Sequence, residues 1–226
     1  MSMPVAPVSP TQRRLSVALT VLAFVAVAGM LGGWVADQGR VARWSINTAS
    51  TLYVLIAVAG GAHRSGYGRL ILAAVSFCWL GDILGPKNFL LGAGMFLLAH
   101  LFLIPAFVIA GQRRTSLLAG TAGYLLLTAA TGAVVASKMG AEHYGVMLPY
   151  MVAIAAMGAV SLGTVGTGAT RVIPVAALLF YVSDVCLAQT AFLDGGRVFT
   201  YVGYPMYYTA VILFALTPWA MARRVG

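Results

Sequence analysis

Apolar residues run along this chain in long blocks, and charged residues and glycines fall at the breaks between them. The blocks predict helical spans at about 15–36, 41–62, 67–86, 88–110, 115–136, 145–166, 171–193 and 198–220. Each is long enough to cross a hydrocarbon layer of roughly 30 Å as a helix. The runs do not alternate as barrel strands do, and an open strand leaves backbone groups unsatisfied in lipid. The pattern therefore predicts an all-α, polytopic membrane bundle of about eight transmembrane helices. It divides into a disordered leader (1–14), a single transmembrane domain (15–220) and a short tail (221–226).

Composition agrees. Hydrophobic residues make up 61% of the 226 residues and charged residues 8%, against roughly 25% charged in a soluble domain. Short loops leave no room for a separate soluble unit. The run from Leu15 to Ala36 follows Arg13 and Arg14 and outlasts the roughly 7–15 residues of a signal-peptide core. It reads as a retained first span. Residues 1–10, with prolines at 4, 7 and 10, read as leader. The two cysteines, Cys78 and Cys186, fall inside apolar runs and read as buried thiols.

The net charge of +9 is distributed over loops, which points to topology and lipid headgroups and away from nucleic acid. Arg13, Arg14, Arg64, Arg69, Arg113, Arg114, Arg171, Arg223 and Arg224 fall on one side. Arg40, Arg43, Lys87, Lys138 and Arg197 fall on the other, diluted by Asp37, Glu142 and Asp194. The positive-inside rule then places both termini in the cytoplasm. Terse loops and this arginine bias suit a bacterial inner membrane.

Of the five acidic residues, only Asp82 and Asp184 lie within spans. An aspartate at mid-membrane costs roughly 2.5–3.5 kcal/mol on insertion scales. Such residues face a cavity, a partner or a site, and no mid-membrane Lys or Arg is present to pair with them. They sit in similar cores, Phe77-Cys78-Trp79-Leu80-Gly81-Asp82 and Leu179-Phe180-Tyr181-Val182-Ser183-Asp184. Four spans per unit would make a parallel 4+4 internal repeat; coincidence among apolar helices is the competing explanation. Each aspartate lies about 20 Å along its span, so the pair would sit at one level. If the two touch, they cannot both ionise readily. One then serves as acid and the other as base.

Histidine and tyrosine supply further polar groups within spans. His100 is the only histidine inside one, and a single histidine with two aspartates is a thin set for zinc; no metal is expected. Tyr201, Tyr204 and Tyr208 share one helical face, with Tyr207 on a neighbouring stripe. Tyr201 reads as interfacial belt, while Tyr207 and Tyr208 fit either packing or a polar cavity. Asn47, Gln189 and Tyr150 are isolated polar groups. No nucleotide-binding loop appears.

These residues resemble the YhhN family, which includes the lysoplasmalogenases. The resemblance lies in Gly81-Asp82, in Phe89-x2-Gly92-x3-Phe96-x3-His100, and in Ser183-Asp184-x2-Leu187-Ala188. It continues in Pro149-Tyr150-Met151 with Ile154 and Met157, and in Tyr207-Tyr208, over roughly residues 40–215. The chain departs from the family pattern in three places. The Lys-Pro pair at the start of the second span is absent around Arg43-Trp44. Leu103 stands where a tyrosine often follows the histidine, and Val211 lies near the place of a glutamine.

The resemblance implies an eight-helix membrane hydrolase. Such an enzyme cleaves the vinyl ether of a lysoplasmalogen with water, giving a fatty aldehyde and glycerophosphoethanolamine or glycerophosphocholine, without metal or organic cofactor. Asp82 and Asp184 would share acid and base roles. His100 and Tyr208 would position water or substrate, with Tyr207, Ser183 and Tyr150. The partners implied are a lysophospholipid substrate and membrane lipids. Lys87 and Arg197 flank the membrane near a phosphate, although solvated flanking charge is the simpler reading of them. Intramembrane acids and a parallel repeat also suit a proton-coupled transporter. A non-catalytic lysolipid-binding protein is a third reading.

Overall fold

A computed structural model describes residues 9–222. It contains eight long helices: α1 (Pro10–Val35), α2 (Gly39–Ala59), α3 (Gly66–Leu84), α4 (Phe89–Ile109), α5 (Arg114–Ala136), α6 (Tyr144–Gly163), α7 (Val172–Phe192) and α8 (Arg197–Ala222). Single 3₁₀ turns precede α3 (Ala62–Arg64) and α6 (Ala141–His143). Among the described residues there is no strand.

The helices begin and end where the charge and glycine breaks predict. The exception is α1, which starts at Pro10, inside the expected leader. Ser9 accepts from the Gln12 amide while the Gln12 side chain accepts from the Ser9 amide, a reciprocal cap with proline in the first turn. The cap satisfies backbone donors that would otherwise face solvent. The rest of the expected leader (1–8) and the last four residues of the expected tail (223–226) lie outside the described residues.

Among the described residues seven helices are long and apolar enough to cross a membrane, and the chain is an integral, multi-pass membrane protein. The exception by composition is α2, where Arg40, Arg43, Ser45, Asn47, Thr48, Ser50 and Thr51 dilute the apolar residues. It nonetheless packs within the bundle, against α1, α3 and α8. Its polar residues have an internal destination, described below.

Consecutive helices pair as hairpins: α1 with α2, α3 with α4, α5 with α6 and α7 with α8. The hairpins join through α4 against α6 and through α8 against α2 and α3. An internal 4+4 repeat, expected from the two aspartate cores, is not shown by this arrangement.

The core is aromatic and small-residue rich. Tyr53, Phe107, Phe180, Tyr207, Tyr208 and Phe214 are all fully enclosed. Near the start of α3 a buried hydrogen bond reaches α8: the Tyr67 hydroxyl donates to Thr217 Oγ1 at 2.7 Å, and Thr217 in turn donates to the Phe214 carbonyl. Removing a hydrogen bond of this kind costs about 1 kcal/mol. Tyr67→Phe should lower the thermal midpoint of the detergent-solubilised protein by a few degrees, measured by intrinsic fluorescence. An unchanged midpoint would mean that the bond contributes nothing to stability.

Candidate functional site

The two intramembrane aspartates occupy different settings. Asp82 lies in the last turn of α3, and its Oδ2 is surrounded by hydroxyls from α2 and α8. Ser50 Oγ stands at 2.5 Å, Tyr53 Oη at 2.9 Å, Tyr207 Oη at 3.0 Å and Tyr208 Oη at 3.5 Å. Ser50 and Tyr53 are three apart on α2 and so share a face. Tyr207 and Tyr208 follow Pro205, which lacks the N–H that the α8 ladder needs at that point. All five side chains are buried.

Each hydroxyl carries one proton, which limits the bonds made at once. Tyr208 and Ser50 are 3.2 Å apart, and Tyr53 and Tyr207 are 3.3 Å apart. A consistent set has Tyr53 and Tyr207 donating to Asp82 and Tyr208 donating to Ser50, whose own proton has two acceptors in reach, Asp82 Oδ2 and the Ile46 carbonyl at 2.9 Å. Donors gathered on one oxygen suit an ionised carboxylate, which only accepts.

Asp184, in the middle of α7, is the more accessible, with 14% of its side chain exposed. Its Oδ2 accepts from the Tyr150 hydroxyl of α6 at 2.6 Å. Across from it stands His100 of α4, fully buried, with Nε2 3.7 Å from Asp184 Oδ2. His100 Nδ1 is 2.7 Å from the Phe96 carbonyl, one turn earlier on α4. A carbonyl only accepts, so Nδ1 carries the proton. In the neutral ring Nε2 is then a bare acceptor, and it has no hydrogen-bond partner. Two acceptors facing each other require a proton on one of them or a water between them. At 3.7 Å there is no direct hydrogen bond.

The aspartates belong to one interior without sharing a helix pair; α3 and α7 are not among the main packed pairs. Aromatic side chains connect them. Tyr207, bonded to Asp82, packs its ring on Phe96 and Phe180 with centroids 5.6 Å away in each case. Phe180 lies 4.8 Å from the His100 ring, which faces Asp184. Cys78, one turn before Asp82 on α3, is buried within electrostatic reach of both carboxyls.

The structure thus gathers Asp82 with Tyr207 and Tyr208, and Asp184 with His100 and Tyr150. Ser183 is buried with an Oγ that has no hydrogen-bond partner. Neither Asn47 nor Gln189 donates a side-chain hydrogen bond to an aspartate. Ser50 and Tyr53 were not anticipated from sequence; their signal is the density of polar residues in the least apolar helix. Among the described residues no group of three or more His, Cys, Asp or Glu converges as metal ligands would. A cavity of about 440 Å³ in the α6–α7 connection is lined by Thr164, Thr170 and Arg171 and by neither aspartate.

No curated protein and no solved structure matches the chain. The model of the YhhN family matches residues 42–217, a stretch that begins in α2 and ends in α8 and so contains every residue of both aspartate clusters. The chain belongs to the YhhN family.

Proposed function

We propose that this protein is a membrane hydrolase that cleaves the vinyl ether of lysoplasmalogens with water. The observation that carries the reading is the contrast between the two carboxyls. Asp82 is held by proton donors, whereas Asp184 faces the bare acceptor His100 Nε2. Asp82 is accordingly the resting carboxylate, and the Asp184–His100 pair holds the proton to be delivered.

In the first step Asp184 gives its proton to the outer alkenyl carbon, and the π pair forms the new C–H bond. Positive charge develops on the carbon bonded to the ether oxygen, where the Asp82 carboxylate stabilises it. Water then adds to that carbon and passes a proton to Asp82. In the collapse of the hemiacetal, Asp184 takes the hydroxyl proton as the carbonyl forms. The carbon–oxygen bond to glycerol breaks, and Asp82 returns its proton to the glycerol oxygen. Both carboxyls are back in their starting states, and the products are a fatty aldehyde and the glycerophospho headgroup. The His100 and Ser183 acceptors would orient the water, and Tyr150 would hold Asp184. A bacterial inner membrane with both termini in the cytoplasm is the proposed setting, supported by the arginine bias of the loops.

The test is aldehyde release from lysoplasmenylethanolamine by the purified protein in detergent. Turnover without a sealed bilayer is the expected result. Monodisperse, thermally cooperative protein that releases no aldehyde would overturn the reading. Solute movement across proteoliposomes without covalent change would replace it with transport.

A further inference from the structure

A second polar feature lies at the end of the bundle nearest Asp82. There the C-terminal end of α1, the α1–α2 turn and the start of α8 enclose a cavity of about 200 Å³, lined by Gly33, Trp34, Asp37, Gly39, Arg197, Thr200 and Tyr201. The turn is tight: Asp37 takes a left-handed φ of 53°, and the Gln38 amide donates to the Gly33 carbonyl at 2.7 Å. This geometry sets Asp37 in the wall of the cavity that Arg197 also lines. Among the described residues neither side chain has a salt-bridge partner within 4.0 Å, and both are exposed, so both charges are available to a ligand.

We propose that this cavity is the headgroup subsite for a zwitterionic, single-chain phospholipid. The inference rests on the hydrolase reading of the aspartate clusters and adds where the substrate's polar end sits. Arg197 is the first residue of α8, so its guanidinium and the positive end of a 26-residue helix together favour a phosphate. Asp37 and the indole of Trp34 supply the carboxylate and the aromatic face that an ammonium group binds.

The subsite also joins the chemistry. Trp34 packs edge-on against Tyr201 and Tyr204, with centroids 5.9 and 5.1 Å away. Tyr208, one turn beyond Tyr204 on α8, brings its hydroxyl to 3.5 Å from Asp82. Tyr201 to Tyr208 is about 10 Å along the helix, comparable to a glycerol with its ether link. A headgroup at Tyr201 therefore brings the alkenyl carbons to the level of Asp82. It also fixes the side of approach, from the membrane face opposite the start of α1 and the end of α8.

The test compares Asp37→Asn and Arg197→Gln with wild type on lysoplasmenylethanolamine, lysoplasmenylcholine and the same alkenyl lipid with a bare phosphate headgroup. Asp37→Asn should raise KM about tenfold for both zwitterionic lipids and not for the bare phosphate. Arg197→Gln should raise KM for all three, and the effects should fall in KM. Unchanged KM for every headgroup, with active enzyme, would overturn the subsite and leave the hydrolase reading standing. Binding of acyl lysophosphatidylethanolamine, read by tryptophan fluorescence, supplies the arm independent of turnover. Inactive wild type whose lysolipid binding weakens in both variants would sink the hydrolase reading and keep the subsite. Binding that ignores both variants would remove the subsite.

Discussion

Asp184→Asn is expected to lower aldehyde release by about 10²–10⁴-fold, the range typical of a lost general acid or base. Asparagine keeps the shape of the side chain and can still accept from Tyr150, whose hydroxyl lies 2.6 Å away. What it cannot do is hold an exchangeable acidic proton opposite His100 Nε2. Asp82→Asn should cost as much for a different reason. It replaces the one group that the hydroxyls of Ser50, Tyr53, Tyr207 and Tyr208 surround with a neutral amide, and it removes the charge facing the developing cation. Because the two act on one reaction coordinate, the double variant should fall little further than either single one. The check is initial-rate aldehyde production with matched amounts of monodisperse protein. Either single variant within a few-fold of wild type would reject the assignment.

The second large effect concerns packing. At the α3–α4 hairpin Gly92 and Gly85 bring two backbones together. A Cβ at Gly92 would collide with the Gly85 Cα and would lie 2.9 Å from the Gly85 nitrogen and 3.4 Å from the Gly81 carbonyl oxygen. All three are backbone atoms, so no side-chain rotation relieves the clash. Gly92→Ala must separate the hairpin, and overpacking of this kind costs about 1–3 kcal/mol. Asp82 lies between Gly81 and Gly85, so the same displacement should disturb its hydroxyl cage and reduce turnover along with stability. Two residues on, a Cβ at Gly94 meets nothing within 4 Å. Gly94→Ala should therefore leave the thermal midpoint unchanged or slightly raise it. Equal midpoints for the two variants would show that the hairpin is not held by this approach.

Much of the architecture was legible because lipid leaves few alternatives. Long apolar blocks have to be helices, and charge has to sit at their ends, so seven helix starts fall within a few residues of the expected ones. The early start of α1 had a signal as well, Ser9-x-x-Gln12 before an apolar run, masked by the surrounding prolines. Asp82, Asp184 and His100 stood out because an ionisable group in an apolar block is conspicuous. Ser50 and Tyr53 did not, because hydroxyls occur throughout membrane helices and only tertiary packing turns these two toward Asp82. The grouping of partners was likewise hidden. Asp82 takes its partners from α2 and α8, and Asp184 from α4 and α6, a division set by which hairpins pack together.

The polar character of α2 has a further consequence. Two of the four hydroxyls around Asp82, those of Ser50 and Tyr53, sit on the one long helix among the described residues whose composition falls short of a self-sufficient span. Such a segment partitions poorly into lipid by itself. It crosses the bilayer because α1 before it and α3 after it are held there, and because Asp82 and α8 then satisfy its side chains. The contacts of Ser50 and Tyr53 are thus completed only when the last helix has packed. A chain truncated before α8 would keep the two spans that flank α2 but lack Tyr207 and Tyr208, so the Asp82 cluster is the last part of the bundle to be assembled.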